Sequence, residues 1–274
     1  MCELFCMASR WPTRATFSLD TFAKRGAPGG STVDGWGIAL YDGRDARLYK
    51  EPEPAGNSAW LSFVGQRHPT SRLIISHIRR ATRGPISLAN TQPFIRELGG
   101  HVHVFAHNGH LKGIEARYGA GRKRFWPIGD TDSEIAFCML AERLSPLWSA
   151  GTVPPFDYRL EIVTRFAAEM RELGPANFLY ADGDALFAQG HRRNQADGTF
   201  GPPGLWVLHR ECASDADGLQ GFGVEVEAGG KAQVITLIAS VPLTGEGWRS
   251  LAEGELIAIR HGRIVAARGS PAYA

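Results

Sequence analysis

Met1-Cys2-Glu3-Leu4-Phe5 opens the chain, and the reading of the fold turns on it. Removal of Met1 alone would make Cys2 the N-terminus, with a thiol and a free α-amine on one residue. That amine has an unperturbed pKa of roughly 7.7–8.0, so part of it is neutral near pH 7. A nucleophile then stands beside its own base. The competing reading is structural, because cysteine is among the most buried residue types and packs as a small hydrophobe. Taken alone, these five residues favour the structural reading. Glu3 to Ala8 is mostly apolar and reads as a buried strand starting directly behind Cys2.

The bulk properties are those of an ordinary globular chain. It has 274 residues, 43% hydrophobic and 21% charged, with a formal net charge of +2. That length supports a sizeable core. The charge gives no reason to expect nucleic acid or an acidic membrane surface as a partner. The four cysteines, Cys2, Cys6, Cys138 and Cys212, show no CxxC or zinc-type spacing, which fits a reducing compartment. There is no long apolar signal region at the start. No apolar run reaches the length of about 18 residues that a membrane span needs. A soluble, cytoplasmic protein is expected.

Further along, Gly35 to Tyr41 reads as a strand, Asp42-Gly43 as a hairpin turn, and Ala46 to Tyr49 as the returning strand. The glycines at 26, 29, 30, 35 and 37 match neither GxGxxG nor GxxxxGK[ST], so no nucleotide loop is expected. Asn57-Ser58 caps a short helix from Ala59 to Val64. Leu73 to Arg79 alternates, with Leu73, Ile75, His77 and Arg79 on one face. Val102 to Ala106 is a strand, and His107-Asn108-Gly109 after it reads as a tight turn. Thr131-Asp132-Ser133-Glu134 is a capping box opening a helix from Ile135 to Leu144. A second helix, Tyr158 to Leu173, ends at Gly174-Pro175. Hairpins follow at Asn177–Gln189, turning at Asp182-Gly183, and at Glu255–Arg268, turning at His261-Gly262. Leu205–Leu208 and Gln233–Ser240 are further strands, and Arg192–Gly204 is a polar loop. Strands in hairpins with a few helices make the fold class α+β, and no linker divides residues 1–274.

An acyl-transfer site needs a nucleophile, an oxyanion hole and a grip on the substrate. Asn108 and Gly109 offer a side-chain amide and a backbone N–H as two donors, although Asn-Gly is equally a turn signal. Arg79 lies on the inward strand face, where an arginine wants a carboxylate held bidentately; substrate or protein could supply it. Asp132 sits in a first helical turn, where it complements the helix dipole or fixes a substrate ammonium. Carboxylate plus ammonium describes an α-amino acid, or the free end of a γ-glutamyl compound.

The ordered motifs MCELF at 1–5, DGWGIALY at 34–41, SHIRRATRG at 76–84, NTQPF at 90–94, FAHNGHL at 105–111 and GDTDSE at 129–134 resemble those of class II glutamine amidotransferases. Those enzymes belong to the N-terminal nucleophile hydrolases. ANFLYADGDALFA at 176–188 and ASVPLTGEGW at 239–248 resemble the stand-alone, YafJ-like branch, which is also similar to γ-glutamyl hydrolases.

The resemblance implies a four-layer αββα sandwich of two mostly antiparallel sheets. It implies one type-2 domain over residues 1–274, with catalytic motifs in 2–134 and residues 158–274 completing the sandwich. Cys2 would be the nucleophile, Asn108 and Gly109 the oxyanion hole, Arg79 with Thr82 the carboxylate site, and Asp132 the ammonium site. Gly35, Trp36 and Asn90 would shape the pocket. The reaction implied is hydrolysis of glutamine to glutamate and ammonia through a Cys2 thioester, without cofactor or metal. A separate synthase subunit would take up the ammonia. Departures lie at Cys6, where the family more often has glycine, at Val33, and at Arg80 and Arg83, which replace Trp and His of synthase-linked relatives.

Three alternatives remain open at this point. A γ-glutamyl amide or peptide hydrolase would act without ammonia transfer. A metal could use His101, His103 and His107, which alternate on one strand face with His110 nearby; edge histidines facing water are the simpler expectation. A non-catalytic module would be expected to have lost one of Cys2, Arg79, Asn108, Gly109 and Asp132.

Overall fold

The computed structural model describes residues 2–14, 34–55, 58–67, 69–80, 84–119, 123–149, 151–212, 225–226, 232–245 and 247–269. Met1, the glycine-rich stretch 26–31, Val33, Asn57, Thr82 and Arg83 lie outside them.

Strand β1 (Glu3–Arg14) is the centre of the first sheet. Its residues Leu4 to Ser9 are buried on both faces, which is why it reads as an apolar run rather than an alternation. One side pairs with β4 (Ser71–Arg79), in the register Leu4↔His77 and Cys6↔Ile75. The other pairs with β13 (Gln233–Ala239), in the register Phe5↔Ala239. Beyond β4 lie β2 (Gly35–Asp42) and β3 (Asp45–Glu51), joined by the expected turn at Gly43. Beyond β13 lie β11 (Trp206–Cys212) and β14 (Arg249–Ser250), and β12 (Glu225–Val226) pairs with the far end of β1.

The second sheet runs β16 (Arg263–Arg268), β15 (Leu256–Arg260), β8 (Leu186–Gln189), β7 (Ala176–Ala181), β6 (His101–Gly109) and β5 (Phe94–Leu98). All its pairings are antiparallel.

Alternation sorts the side chains into layers. Leu4, Cys6, Ala39 and Ile75 of the first sheet meet Val104, Ala106, Leu179, Ala188 and Ile257 of the second. On the far side of the second sheet, Phe105, Phe178, Tyr180 and Phe187 pack against helices α3 (Asp132–Leu144) and α4 (Phe156–Leu173). There Phe105 stacks on Phe137, with ring centroids 5.3 Å apart. A short helix, α2 (Ile114–Tyr118), joins this layer through Ile114. On the far side of the first sheet, Phe5, Met7, Ile38 and Ile74 are covered by Leu61 of α1 (Ala59–Arg67) and by Leu243 and Trp248. The layers are therefore helix, sheet, sheet, helix. No helix among the described residues is long and apolar enough to cross a membrane.

Three expectations change. His107-Asn108-Gly109 is not a turn: all three residues stay in β6, opposite Phe178, Asn177 and Ala176. The β5–β6 hairpin turns instead at Gly99-Gly100, both at positive φ. Two of the three β6 histidines are not edge residues facing water; only His101 stays half-exposed. His103 is fully buried against Tyr180, Nδ1 to hydroxyl 2.7 Å, and His107 Nδ1 lies 2.9 Å from Ser133 Oγ. The capping box is half formed. Thr131 accepts from the Glu134 N–H, but the Glu134 carboxylate accepts from Gly129 N and from Arg96 instead.

One buried ionic cluster ties the helical layer to the second sheet. Arg159 of α4 is 1% exposed and donates to Asp182 at 2.7 Å and to Asp184 at 2.6 Å, in the β7–β8 turn. Removing one member of such a cluster leaves uncompensated charge in the interior. Arg159→Ala is expected to lower unfolding free energy by about 3–5 kcal/mol, measured by denaturant titration.

Candidate active site

Cys2 stands just before β1, at the end of the sandwich where β4 and β6 finish and β2 and β7 start. Pairing of β1 with β4 carries the chain past Arg79, so that Arg80 closes over the thiol. Cys2 Sγ accepts from Arg80 N at 3.2 Å and lies 3.3 Å from Arg80 O. Burial pushes the thiol above its ordinary pKa, and the Arg80 N–H and the Arg79 charge pull it only part of the way back.

Asn108 reaches the same place from the second sheet. The inward parity of Val104 and Ala106 continues to Asn108, whose Nδ2 donates to the Cys2 carbonyl at 2.6 Å. A primary amide has a second hydrogen, and that one is available to an oxyanion. Asn177, on the adjacent strand, fixes the donor. Its amide donates to Asn108 O at 3.0 Å and to Arg192 O at 2.8 Å, while its carbonyl accepts from His191 N at 2.7 Å. Gly109 follows, where an added Cβ would lie 1.8 Å from the Pro175 carbonyl oxygen. Only glycine lets β6 pass β7 that closely.

These residues open on a cleft of about 400 Å³ lined by Cys2, Asn108, Gly109, His110, Arg80 and, across from them, Phe200. The facing wall is the segment read from sequence as a loop. It folds into a two-stranded ribbon, β9 (Arg193–Asn194) with β10 (Phe200–Gly201). Arg193 anchors it to the residue after Cys2, donating to Glu3 at 3.1 Å and to the Ser240 carbonyl.

Of the other expected site residues, none of those described lines this cleft. Arg79 is buried and donates to Gly84 O at 3.4 Å. Asp132 accepts from Leu111 N at 2.8 Å and from Ser133 N at 2.9 Å, and its Oδ2 is 3.3 Å from His110 Nδ1, the group that links it to the cleft. Asn90 donates to Pro85 O at 3.0 Å and accepts from Asp130 N at 2.8 Å, joining the segment after Arg79 to the segment before Asp132. Gly35 packs against the same run, with room for a Cβ only 3.2 Å from Thr91 Oγ1 and 2.9 Å from Glu51 O. Trp36 belongs to the outer layer, its indole N–H donating to Glu51 at 3.0 Å. Thr82 lies outside the described residues.

Sequence reasoning missed Asn177, Arg193 and Phe200 because their roles depend on partners far away in the chain. It also missed Gln92, which brackets His107 by accepting from its N–H at 2.6 Å and donating to its carbonyl at 3.0 Å. Two histidines near this end are poor bases. Burial pulls His77 down to about 3 and also lowers His107. Neither holds a thiol proton readily near neutrality.

Two outcomes are expected here. Gly109→Ala must displace Pro175 or the end of β6, and is expected to lower both stability and activity, read by thermal melting beside steady-state rates. With Met1 attached, the raised thiol pKa means little thiolate below the ordinary cysteine range. Alkylation of Cys2 by iodoacetamide should therefore be slower at pH 7 than that of free cysteine and should keep rising with pH beyond the free thiol's midpoint, read by intact mass.

Comparison with known proteins identifies the family. The family described as class II glutamine amidotransferases matches residues 1–274. YafJ of Escherichia coli K12, a candidate glutamine amidotransferase by its name, is 34% identical over 93% of this chain and 96% of its own. A candidate glutamine amidotransferase of Haemophilus influenzae is 32% identical over 97% of this chain and 86% of its own. The crystal structure of a glutamine amidotransferase of Pseudomonas aeruginosa, itself predicted from sequence, superposes with a TM-score of 0.69 at 30% identity, covering 97% of this chain and all of that one. The glutamine phosphoribosylpyrophosphate amidotransferase of Bacillus subtilis shares the fold, with a TM-score of 0.61 at 14% identity over 97% of this chain and 49% of its own. The chain belongs to the class II glutamine amidotransferases.

Proposed function

We propose that this chain hydrolyses the γ-amide of glutamine through a thioester on Cys2. The observation that carries the reading is the meeting of Cys2 from one sheet with Asn108 from the other, 2.6 Å apart at the mouth of a cleft. Loss of Met1 frees the Cys2 α-amine. The amine, directly or through water, takes the thiol proton. Sulfur attacks the γ-carbonyl carbon, and the electron pair moves onto oxygen. The second N–H of Asn108 and the backbone N–H of Gly109 hold that oxyanion. Its collapse breaks the C–N bond, and the amine returns the proton to the departing ammonia. Water then attacks the thioester, giving glutamate and restoring the thiol. The weakness of His77 as a base supports the amine in this role.

Arg79 and Asp132 supply the grip in this reading, taking the α-carboxylate and the α-ammonium. Asn90 holds their two segments at a fixed spacing. Thr82 is proposed as an additional contact to the carboxylate, and Gly35 and Trp36 as support for the pocket wall. A separate synthase subunit would be the acceptor of the ammonia. The second reading, a γ-glutamyl amide hydrolase that transfers no ammonia, draws on the extent of the cleft toward Phe200 and Arg192, which leaves room for a larger leaving amine.

The decisive experiment is intact-mass analysis after treatment with a glutamine-mimicking diazoketone. A single adduct on Cys2 of a Met1-free chain, blocked by glutamine, is expected; an adduct elsewhere, or none, refutes the assignment. Assay of glutamine beside γ-glutamyl peptides, reading ammonia or amine release, separates the two readings. Cys2→Ala is expected to abolish turnover. Asn108→Ala should lower kcat by about 10²–10³, the loss typical of one oxyanion donor, with KM little changed.

A further inference from the structure

We propose that the end of the sandwich opposite Cys2 carries a second binding site, for a small polyphosphate anion. The inference goes beyond amide hydrolysis and does not rest on it.

From Cys2 along β1 to Ser9 is about 23 Å at roughly 3.3 Å per residue. At the Ser9 end the hairpin turns of β2–β3, β7–β8 and β15–β16 gather around a cavity of about 200 Å³. Arg44, Arg72, His101 and His261 line it. Arg72 and His261 continue into an adjoining groove with Arg10, Trp11 and Arg263. Arg10 and Arg72 both place their guanidinium carbons 5.6 Å from the centre of the Trp11 ring.

Most of the cations gathered here lack carboxylate partners among the described residues. Elsewhere Arg96, Arg159, Arg193 and Arg249 each hold a carboxylate. Arg10, Arg44 and Arg72 form no ion pair among the described residues. Asp184 is the one carboxylate among the described residues lining the cavity, and it is already taken by Arg159 at 2.6 Å and Arg260 at 2.9 Å. Arg263 is paired with Glu211. Several uncompensated cations around one concave space raise the local concentration of anions. The guanidinium fork matches phosphate oxygens two at a time. The cavity suits an anion of diphosphate size, with the groove beside Trp11 open to whatever the phosphates are attached to.

Calorimetric titration of the intact chain with pyrophosphate at low ionic strength tests this. Saturable one-to-one binding is expected. The double variant Arg44→Ala/Arg72→Ala should bind about tenfold or more weakly, with an unchanged thermal midpoint because both side chains are exposed. The variant Arg80→Ala/Arg192→Ala, which strips cations from the Cys2 cleft instead, should bind as the native chain does. Absence of saturation, native binding by the first variant, or loss confined to the second would overturn the proposal. Citrate binding as tightly as pyrophosphate would overturn the phosphate assignment.

Discussion

The hydrogen bond from the Asn108 amide to the Cys2 carbonyl crosses from one sheet to the other, and the site exists only because that crossing is short. Stacked sheets sit about 10 Å apart, too far for a thiol on one and an amide on the other to meet unless their ends converge. The filling between the layers sets that convergence. Cys6, Ala39, Ala106, Ala181 and Ala188 keep it thin, and Leu4, Ile75, Leu179 and Ile257 keep it dry. Packing far from the chemistry thereby fixes the geometry of the chemistry. Asn177 and Gln92 then lock the β6 backbone on either side of the donor.

Much of the fold could be read locally. Alternation in Leu73–Arg79, the Thr131 cap and the turns at Asp42-Gly43, Asp182-Gly183 and His261-Gly262 depend on neighbours within a few residues, and the structure has them. His107-Asn108-Gly109 could not be read that way. Its local preference is a turn, and pairing with Asn177 and Ala176 overrides that preference. Strand Phe94–Leu98 was hidden because Arg96 and Glu97 break its apolar pattern, while Arg96 turns out to hold Glu134. Of the candidate site, the residues that meet at the cleft were legible through their ordered motifs. The wall facing them was not, since Arg193 and Phe200 acquire meaning only from Glu3 and Ser240. Trp36 shows a smaller lesson: its alternation with Ile38 and Leu40 already assigned it to the outer face.

Recognition in the proposed site is rigid rather than adaptable. Asn90 bonds to both segments that carry the charged grip, and it fits only because Gly84 and Gly129 leave its amide room; a Cβ at Gly129 would sit 2.2 Å from its oxygen. In the proposed reading, that one buried amide sets the spacing between the carboxylate and ammonium sites.

The position of β1 at the centre of its sheet also governs when the site comes into being. Leu4 is bonded on both its N–H and its carbonyl to Ser240, so the first residues of the chain are enclosed by some of the last. Closing so long a loop is slow compared with forming a hairpin. A chain emerging from synthesis would hold its leading cysteine in an open, half-built sheet, without the Arg193 anchor or the Asn177 brace. The thiol would gain its surroundings only once the C-terminal strands dock, so under the proposed function chemical competence would be a late product of folding, with Cys2 idle until the enclosure is complete.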